Sequence, residues 1–336
     1  MNIILSYDYE LFFGQNTGTV ENCLLKPTNG LLDIAKKNSI KLNFFIDIPF
    51  LIKLKSLSKK HEELASDYTS IIQQLNMLKD NGHSIQLHIH PHWYDSKYDG
   101  RKWKLNTERY KLSDFSDNDA KKIVKECIEF MKSEIDVKPV AFRAGGWSIE
   151  PFSKYSEVLR ENGVLIDSTI YFGGFDYSSN QYYDFRNCPK KSFWNFDDAP
   201  TIETDGYFTE IPISSMKFGF VTSMLLSIKL RFMNKKMVKA FGDGSGIKNE
   251  IETNIVSKII NKFKSKYLGV SLDGIASCLL SKTLSKQLNS CGEQDFFVAI
   301  GHPKAQTTHS LQELDRFIKK AKKMNKFIVY SFIKRV

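Results

Sequence analysis

The sequence predicts an α/β protein folded as a single distorted (β/α)7-8 barrel, and three observations point there. Short apolar runs alternate with helical periodicities through the first half of the chain. The same alternation resumes at the C-terminal end. Most of the predicted strands end in Asp, Glu, His or Arg, and barrel enzymes keep their chemistry at the carboxyl ends of strands. The 336 residues, with 25 Phe and 14 Tyr, give the length and apolar content for such a core. We read 1–336 as one domain with an irregular insertion at about 171–292.

The elements follow in order. Ile3–Tyr7 reads as a strand, Pro27–Lys37 as a helix with proline at its start, and Lys41–Ile46 as a strand. The Phe44-Phe45-Ile46 run is apolar on both faces, as a strand covered on both sides should be. Glu62–Lys79 reads as a helix, Ser84–His90 as a strand, and Asp117–Ser133 as a helix. Val140–Arg143 and Val164–Asp167 are strands flanking a helix over Ile149–Glu161. The region from Tyr171 to Gly292 is less regular: a Tyr/Asn/Asp-rich loop, a strand-like Tyr207–Ile213, a basic apolar stretch and a helix around Ile251–Lys264. Phe296–Ile300 is a strand, Ser310–Lys323 an amphipathic helix, and Lys326–Phe332 a last strand.

Four of the seven histidines, His83, His88, His90 and His92, fall within ten residues. Imidazole is the commonest metal ligand, so this bunching marks a candidate site. Residues two apart share a strand face, which places His88 and His90 together. A turn at Pro91 can also fold His92 toward His88, so the residues leave two pairings open. The other strand ends carry Asp8-Tyr9-Glu10, Arg143-Ala144-Gly145-Gly146-Trp147, Asp167-Ser168 and Gly301-His302-Pro303.

Charge and cysteine content bound the function classes. The net charge of +10 favours anionic partners, but lysines are spread over most of the chain, which argues against nucleic acid. The one regional concentration, Met216–Lys239, is apolar and basic with no acidic residue. It reads either as an outer barrel helix packed on the sheet or as a peripheral contact with acidic membrane. Gly242–Gly246 after it reads as a flexible tether. Five cysteines without CxxC pairing read as reduced thiols. With no secretory leader pattern and no apolar run of membrane-spanning length, the expected compartment is the cytoplasm.

Taken in order, these blocks resemble the polysaccharide deacetylase family, the NodB-homology carbohydrate esterases. The blocks are Ser6-Tyr7-Asp8-Tyr9-Glu10, Gly82-His83 with His88 and His92, Phe142-Arg143-Ala144-Gly145-Gly146-Trp147, and Ile300-Gly301-His302-Pro303. The chain departs from the usual pattern in carrying Asp8-x-Glu10 in place of an adjacent acidic pair, and in an extra His90. The resemblance implies a deacetylase-type barrel and a divalent metal, zinc first, with nickel, cobalt or iron as alternatives. It implies Glu10, His88 and His92 as metal ligands, Asp8 as general base, and Arg143 as the residue that orients Asp8. His302 becomes the acid for the leaving amine, with Asp167 as its candidate partner. Gly146, Trp147, His90 and Trp93 are left on the substrate side.

The expected activity is removal of an N-acyl group, N-acetyl first, from an intracellular nucleotide- or lipid-linked sugar. The alternatives are a metal-independent amide hydrolase on a small substrate and an inactive membrane-surface binding protein.

Overall fold

The apolar run at the N-terminus forms β1 (Asn2–Tyr9), in which every residue after Asn2 is buried. In the computed structural model, which describes residues 1–178, 181–247, 266–288 and 295–333, six further strands join it in parallel. They are β2 (Asn43–Asp47), β3 (Ser84–Ile89), β4 (Ala141–Ala144), β5 (Ile166–Asp167), β6 (Phe208–Glu210) and β7 (Phe296–Gly301). Their order is β6-β5-β4-β3-β2-β1-β7. Trp194–Phe196 adds an antiparallel strand outside β6, and Lys326–Phe327 pairs with the start of β1.

Irregular backbone joins the two ends of this curled sheet. Past β6, Ile211 and Ile213 donate to the carbonyls of Asp167 and Ile170, and Ser214 then donates to Val298 of β7 at 2.9 Å. Val270 donates to Ser214, Ile300 to Val270 and Leu272 to Ile300. The ring is therefore a distorted (β/α) barrel, its last stave taken from the stretch the sequence presents as irregular.

The helices are α1 (Lys26–Lys37), α2 (Ile48–Ser58), α3 (Glu62–Asp80), α4 (Asp117–Phe130), α5 (Ser156–Glu161), α6 (Phe220–Phe232), α7 (Lys235–Val238), α8 (Leu280–Leu288) and α9 (Thr308–Ala321). Their starts follow local chemistry. Pro27 sits in the first turn of α1, the Ser116 hydroxyl accepts from the Asp119 amide at α4, and Thr307 and Ser310 cap α9 reciprocally.

Three elements differ from expectation. Helix α2 follows β2 without a loop, because Pro49 in its first turn starts the helix inside an apolar run. The helix expected over Ile149–Glu161 is reduced to a turn at Phe152–Lys154 and the short α5, since Pro151 cannot continue a helix. The last strand is only Lys326–Phe327 before a turn at Tyr330–Phe332. The helix expected around Ile251–Lys264 lies outside the described residues.

Two readings of the basic region are corrected. Helix α6 buries none of its residues, so it is not a helix packed on the sheet. The stretch Gly242–Gly246 is pinned and not a loose tether. Asp243 accepts from the Thr19 amide (2.8 Å), the Thr19 hydroxyl (2.9 Å) and Asn22 (2.8 Å), and Gly14 donates to the Ser245 carbonyl (2.9 Å). A Cβ on Gly244 would stand 2.4 Å from the Phe12 ring, so the strap packs too closely for a side chain there. The four described cysteines are all free. Among the described residues, no helix is long and apolar enough to cross a membrane.

Candidate active site

Strand register assembles the site. Parallel pairing sets Asp47 opposite His88, and His88 opposite Arg143, so these three share one face. Asp8 lies opposite Phe45, two residues before Asp47, which brings it to the same face. Glu10 and His302 join Asp8, His88 and Arg143 around a cleft of about 330 Å³ at the carboxyl ends of the strands, and Asp47 is buried outside its lining. Asp8, Glu10, His88, His90, Arg143, Gly146, Trp147 and His302 all line it.

Arg143, only 1% exposed, fixes Asp8. It donates to Asp8 Oδ1 at 2.6 Å, to the Ser168 carbonyl at 2.7 Å, and to the Ser6 and Ser168 hydroxyls at 3.1 and 3.2 Å. Its guanidinium stacks on Phe45 at 4.0 Å. The other Asp8 oxygen stands 3.9 Å from the Nε2 atoms of both His88 and His302.

Glu10 is the hub of the second cluster. Its Oε2 lies 3.0 Å from His88 Nε2 and 2.7 Å from His90 Nε2, and Lys304 Nζ donates to its Oε1 at 2.8 Å. Burial works against the Glu10 charge. Lys304 and His90, with hydrogen bonds from both imidazoles, outweigh it and hold the carboxyl well below its usual range. His88 is likewise disfavoured as a cation by burial, but Asp8, Glu10 and Asp47 raise it to about 9. Burial lowers His90 to about 4.

The residues fit a divalent ion. Glu10, His88 and His90 each offer an atom within 4.8 Å of the others, and all three are buried. Two imidazoles and one carboxylate are a donor set that suits zinc and its neighbours. His88 Nδ1 donates to the Arg143 carbonyl at 2.8 Å, the outer hydrogen bond that orients a ligating imidazole. His90 Nδ1 is buried with no partner among the described residues.

His92 is not in this set, contrary to the expected His88–His92 pair. The turn Pro91–Tyr94 carries its ring off the strand face and stacks it on Tyr110 and Trp93, with centroids at 5.3 and 5.4 Å. Both its nitrogens are buried without a partner among the described residues, and burial depresses its pKa well below the usual value. Strand alternation places His90 beside His88 instead. Gly145 makes room for that ring, because a Cβ there would stand 2.5 Å from the Ile89 carbonyl and 2.6 Å from His90 Nδ1.

Trp93 does not contact the cleft. It is fully buried, packs on Phe50 and Trp103, and donates to Asp47 Oδ2 at 2.7 Å. Asp167 is not the partner of His302. It lies opposite Phe142 and Glu210, on the face Arg143 does not share, and its carboxylate accepts from the Thr169 amide and hydroxyl. The partner is Asp273, which accepts from His302 Nδ1 at 2.8 Å and from the His302 amide at 2.9 Å. Burial opposes the charged His302 ring, but Asp273, followed by Glu10 and Asp8, raises its pKa.

Three polar residues escape the sequence reading: Asp273, Lys304 and Asp47. Lys304 follows His302 by two positions, just past the end of β7. Asp47 ends β2, and burial pushes its carboxyl up to about 8 although Trp93 and the His90 amide donate to it. No local signal marks Asp273. Phe12, Phe13, Tyr110, Gln181 and Lys304 also line the cleft, and Gly146 and Trp147 turn there in left-handed conformations (φ 59° and 58°).

No protein-family model and no curated protein matches the sequence. Among solved structures, the chain is similar to a Mycobacterium smegmatis protein taken to be a polysaccharide deacetylase. The identity is 14%, the TM-score 0.51, and the match covers 98% of this chain and 87% of that one. Weaker likenesses are to the 4-alpha-glucanotransferase of Thermococcus litoralis (11%, TM-score 0.48, 98% and 39% covered) and to PuuE allantoinase (11%, TM-score 0.47, 98% and 87% covered). The chain thus has the distorted (β/α) barrel fold of the Mycobacterium smegmatis protein, the architecture that its strand-end motifs imply.

Proposed function

We propose that the protein is a metal-dependent hydrolase that removes an N-acyl group, N-acetyl first, from a sugar carrying an anionic handle. The observation that carries this reading is the placement, in one cleft, of an Arg-fixed carboxylate, a buried carboxylate–imidazole cluster and an Asp-held imidazole. Glu10, His88 and His90 would hold the ion, with zinc first and nickel, cobalt or iron as alternatives. When bound, a divalent cation supplies Lewis acidity toward an amide carbonyl and the attacking water.

The chain's own residues supply the rest. Arg143 immobilises Asp8 through Oδ1, leaving Oδ2 on the cleft side to take a proton from water. His302 gives its Nδ1 proton to the Asp273 hydrogen bond, so Nε2 carries the mobile proton for the departing amine. Trp147 and Gly146 wall the side where the acyl oxygen would develop charge. The net charge of +10 suits a phosphorylated substrate.

Lys304 favours a second reading. Its ammonium already neutralises Glu10 Oε1, which suits a metal-independent amide hydrolase using Asp8 and His302 alone. One experiment separates the two. Acetate release from N-acetylglucosamine oligomers and UDP-N-acetylglucosamine is followed with metal added and with chelator. The first reading expects activity that needs metal and disappears in Asp8→Asn. Activity that survives chelation supports the second reading, and the absence of both metal binding and acetate release with zinc, nickel, cobalt and iron refutes the first.

A further inference from the structure

Helix α6 presents apolar side chains outward. Phe220 and Leu230 are exposed on other sides of the helix, and Val221 (62%), Met224, Leu225 (57%), Ile228 and Phe232 (88%) stand exposed together. At about 100° per residue these five fall within an arc of roughly 100°, with Arg231 just outside one edge and Lys229 outside the other. A helix covering a barrel turns such a stripe toward the sheet. Here the stripe faces away, and basic residues border it. From Ile211 to Gly242 the sequence holds no Asp or Glu, while Lys217, Lys229, Arg231, Lys235, Lys236 and Lys239 supply positive charge.

We propose that α6 and the turn through Lys239 dock the protein on an anionic lipid bilayer. The apolar arc would sit at the boundary of headgroups and acyl chains, with the flanking cations on lipid phosphates. Charge argues against a second copy of the chain as the occupant. A symmetric pairing through this face would set six cations against six, with Glu313, 4.0 Å from Lys229, as the acid that the structure places beside them. The surface is also joined to the cleft. Helix α6 packs beside the turn Gly274–Leu279 that follows Asp273, and α7 packs on α9. The chain then bonds from Phe241 to Gln306 and from Gly242 to Lys304, and Gly246 and Ile247 line the cleft. Docking would bring the cleft to the membrane and to substrates presented there. It does not depend on the reaction assigned to the cleft.

The test is flotation of the full chain with phosphatidylcholine vesicles, with and without phosphatidylglycerol. Two variants are compared: Leu225→Gln with Phe232→Gln, which keeps all charge, and Lys235→Gln with Lys236→Gln and Lys239→Gln, which keeps the apolar arc. Unchanged circular dichroism shows that both remain folded. The proposal expects flotation with the anionic vesicles only, and a loss of more than about tenfold in vesicle affinity for each variant. No flotation with anionic vesicles, or flotation that both variants retain, overturns it. So does self-association in sedimentation that the Leu225→Gln/Phe232→Gln variant abolishes, which would assign the face to a second copy.

Discussion

Replacing Arg143 with Met tests whether the Asp8–Arg143 pair is energetically coupled or merely packed. Arg143 is 1% exposed and Asp8 5%, and the 2.6 Å bond between them is removed while the aliphatic packing on Phe45 is largely kept. Taking one partner from a buried ion pair costs about 3–5 kcal/mol, because the other charge is left without compensation. The His88 and His302 rings, each 3.9 Å from Asp8 Oδ2, offset part of this, so the loss should lie near the lower end, about 3 kcal/mol. In an Asp8→Asn background the charge is gone, and Arg143→Met should cost less by about 2 kcal/mol, the coupling energy of the cycle. Urea unfolding at pH 7, read by fluorescence and circular dichroism together, gives each value. A single-mutant loss below about 1 kcal/mol, or a coupling near zero, would show that packing and the hydrogen bonds to Ser6 and Ser168 hold Arg143 without Asp8.

Further outcomes follow from the same geometry. His90→Ala should abolish tight zinc binding in calorimetry, whereas His92→Ala should retain it and lose about 1–3 kcal/mol of stability from its emptied aromatic stack; the opposite pattern would restore the His88–His92 pair. Gly145→Ala should cost roughly 1–3 kcal/mol and weaken metal affinity, because the new methyl group meets the Ile89 carbonyl and the His90 ring; an unchanged urea midpoint and zinc affinity would contradict that contact. Asp273→Asn in metal-free protein should lower the His302 pKa seen by NMR. Since the folded-state value is raised, His302 contributes stability that is fully present below about pH 6.5 and is lost as pH rises through the raised value. The variant should therefore show a smaller fall in melting temperature across that window, and an identical pH profile would remove Asp273 from the role.

The alternation of strands and helices was readable because burial imposes it locally: parallel strands are buried on both faces, as β1 and β2 are, and so read as mainly apolar runs. The chemistry at the strand ends was readable for a related reason. Residues at the carboxyl end of adjacent parallel strands fall at one level, so Asp8, Glu10, His88, Arg143 and His302 meet although the sequence scatters them from position 8 to 302. Which groups then pair is decided by contacts that no local pattern encodes. Pro91 starts a turn that stacks His92 on Tyr110 and Trp93, while His90 stays on the strand face beside His88. Asp167 and Ser168 differ by one strand position, and only the register with Phe142 shows that the carboxylate points away while the serine holds Arg143. Asp273 reaches His302 from a segment without regular periodicity, through the same irregular backbone that closes the barrel. The basic apolar composition of Met216–Lys239 was visible from the start, but composition is the same for a packed helix and an exposed one. Exposure is a property of the folded surroundings, and only the tertiary structure turns that face to solvent.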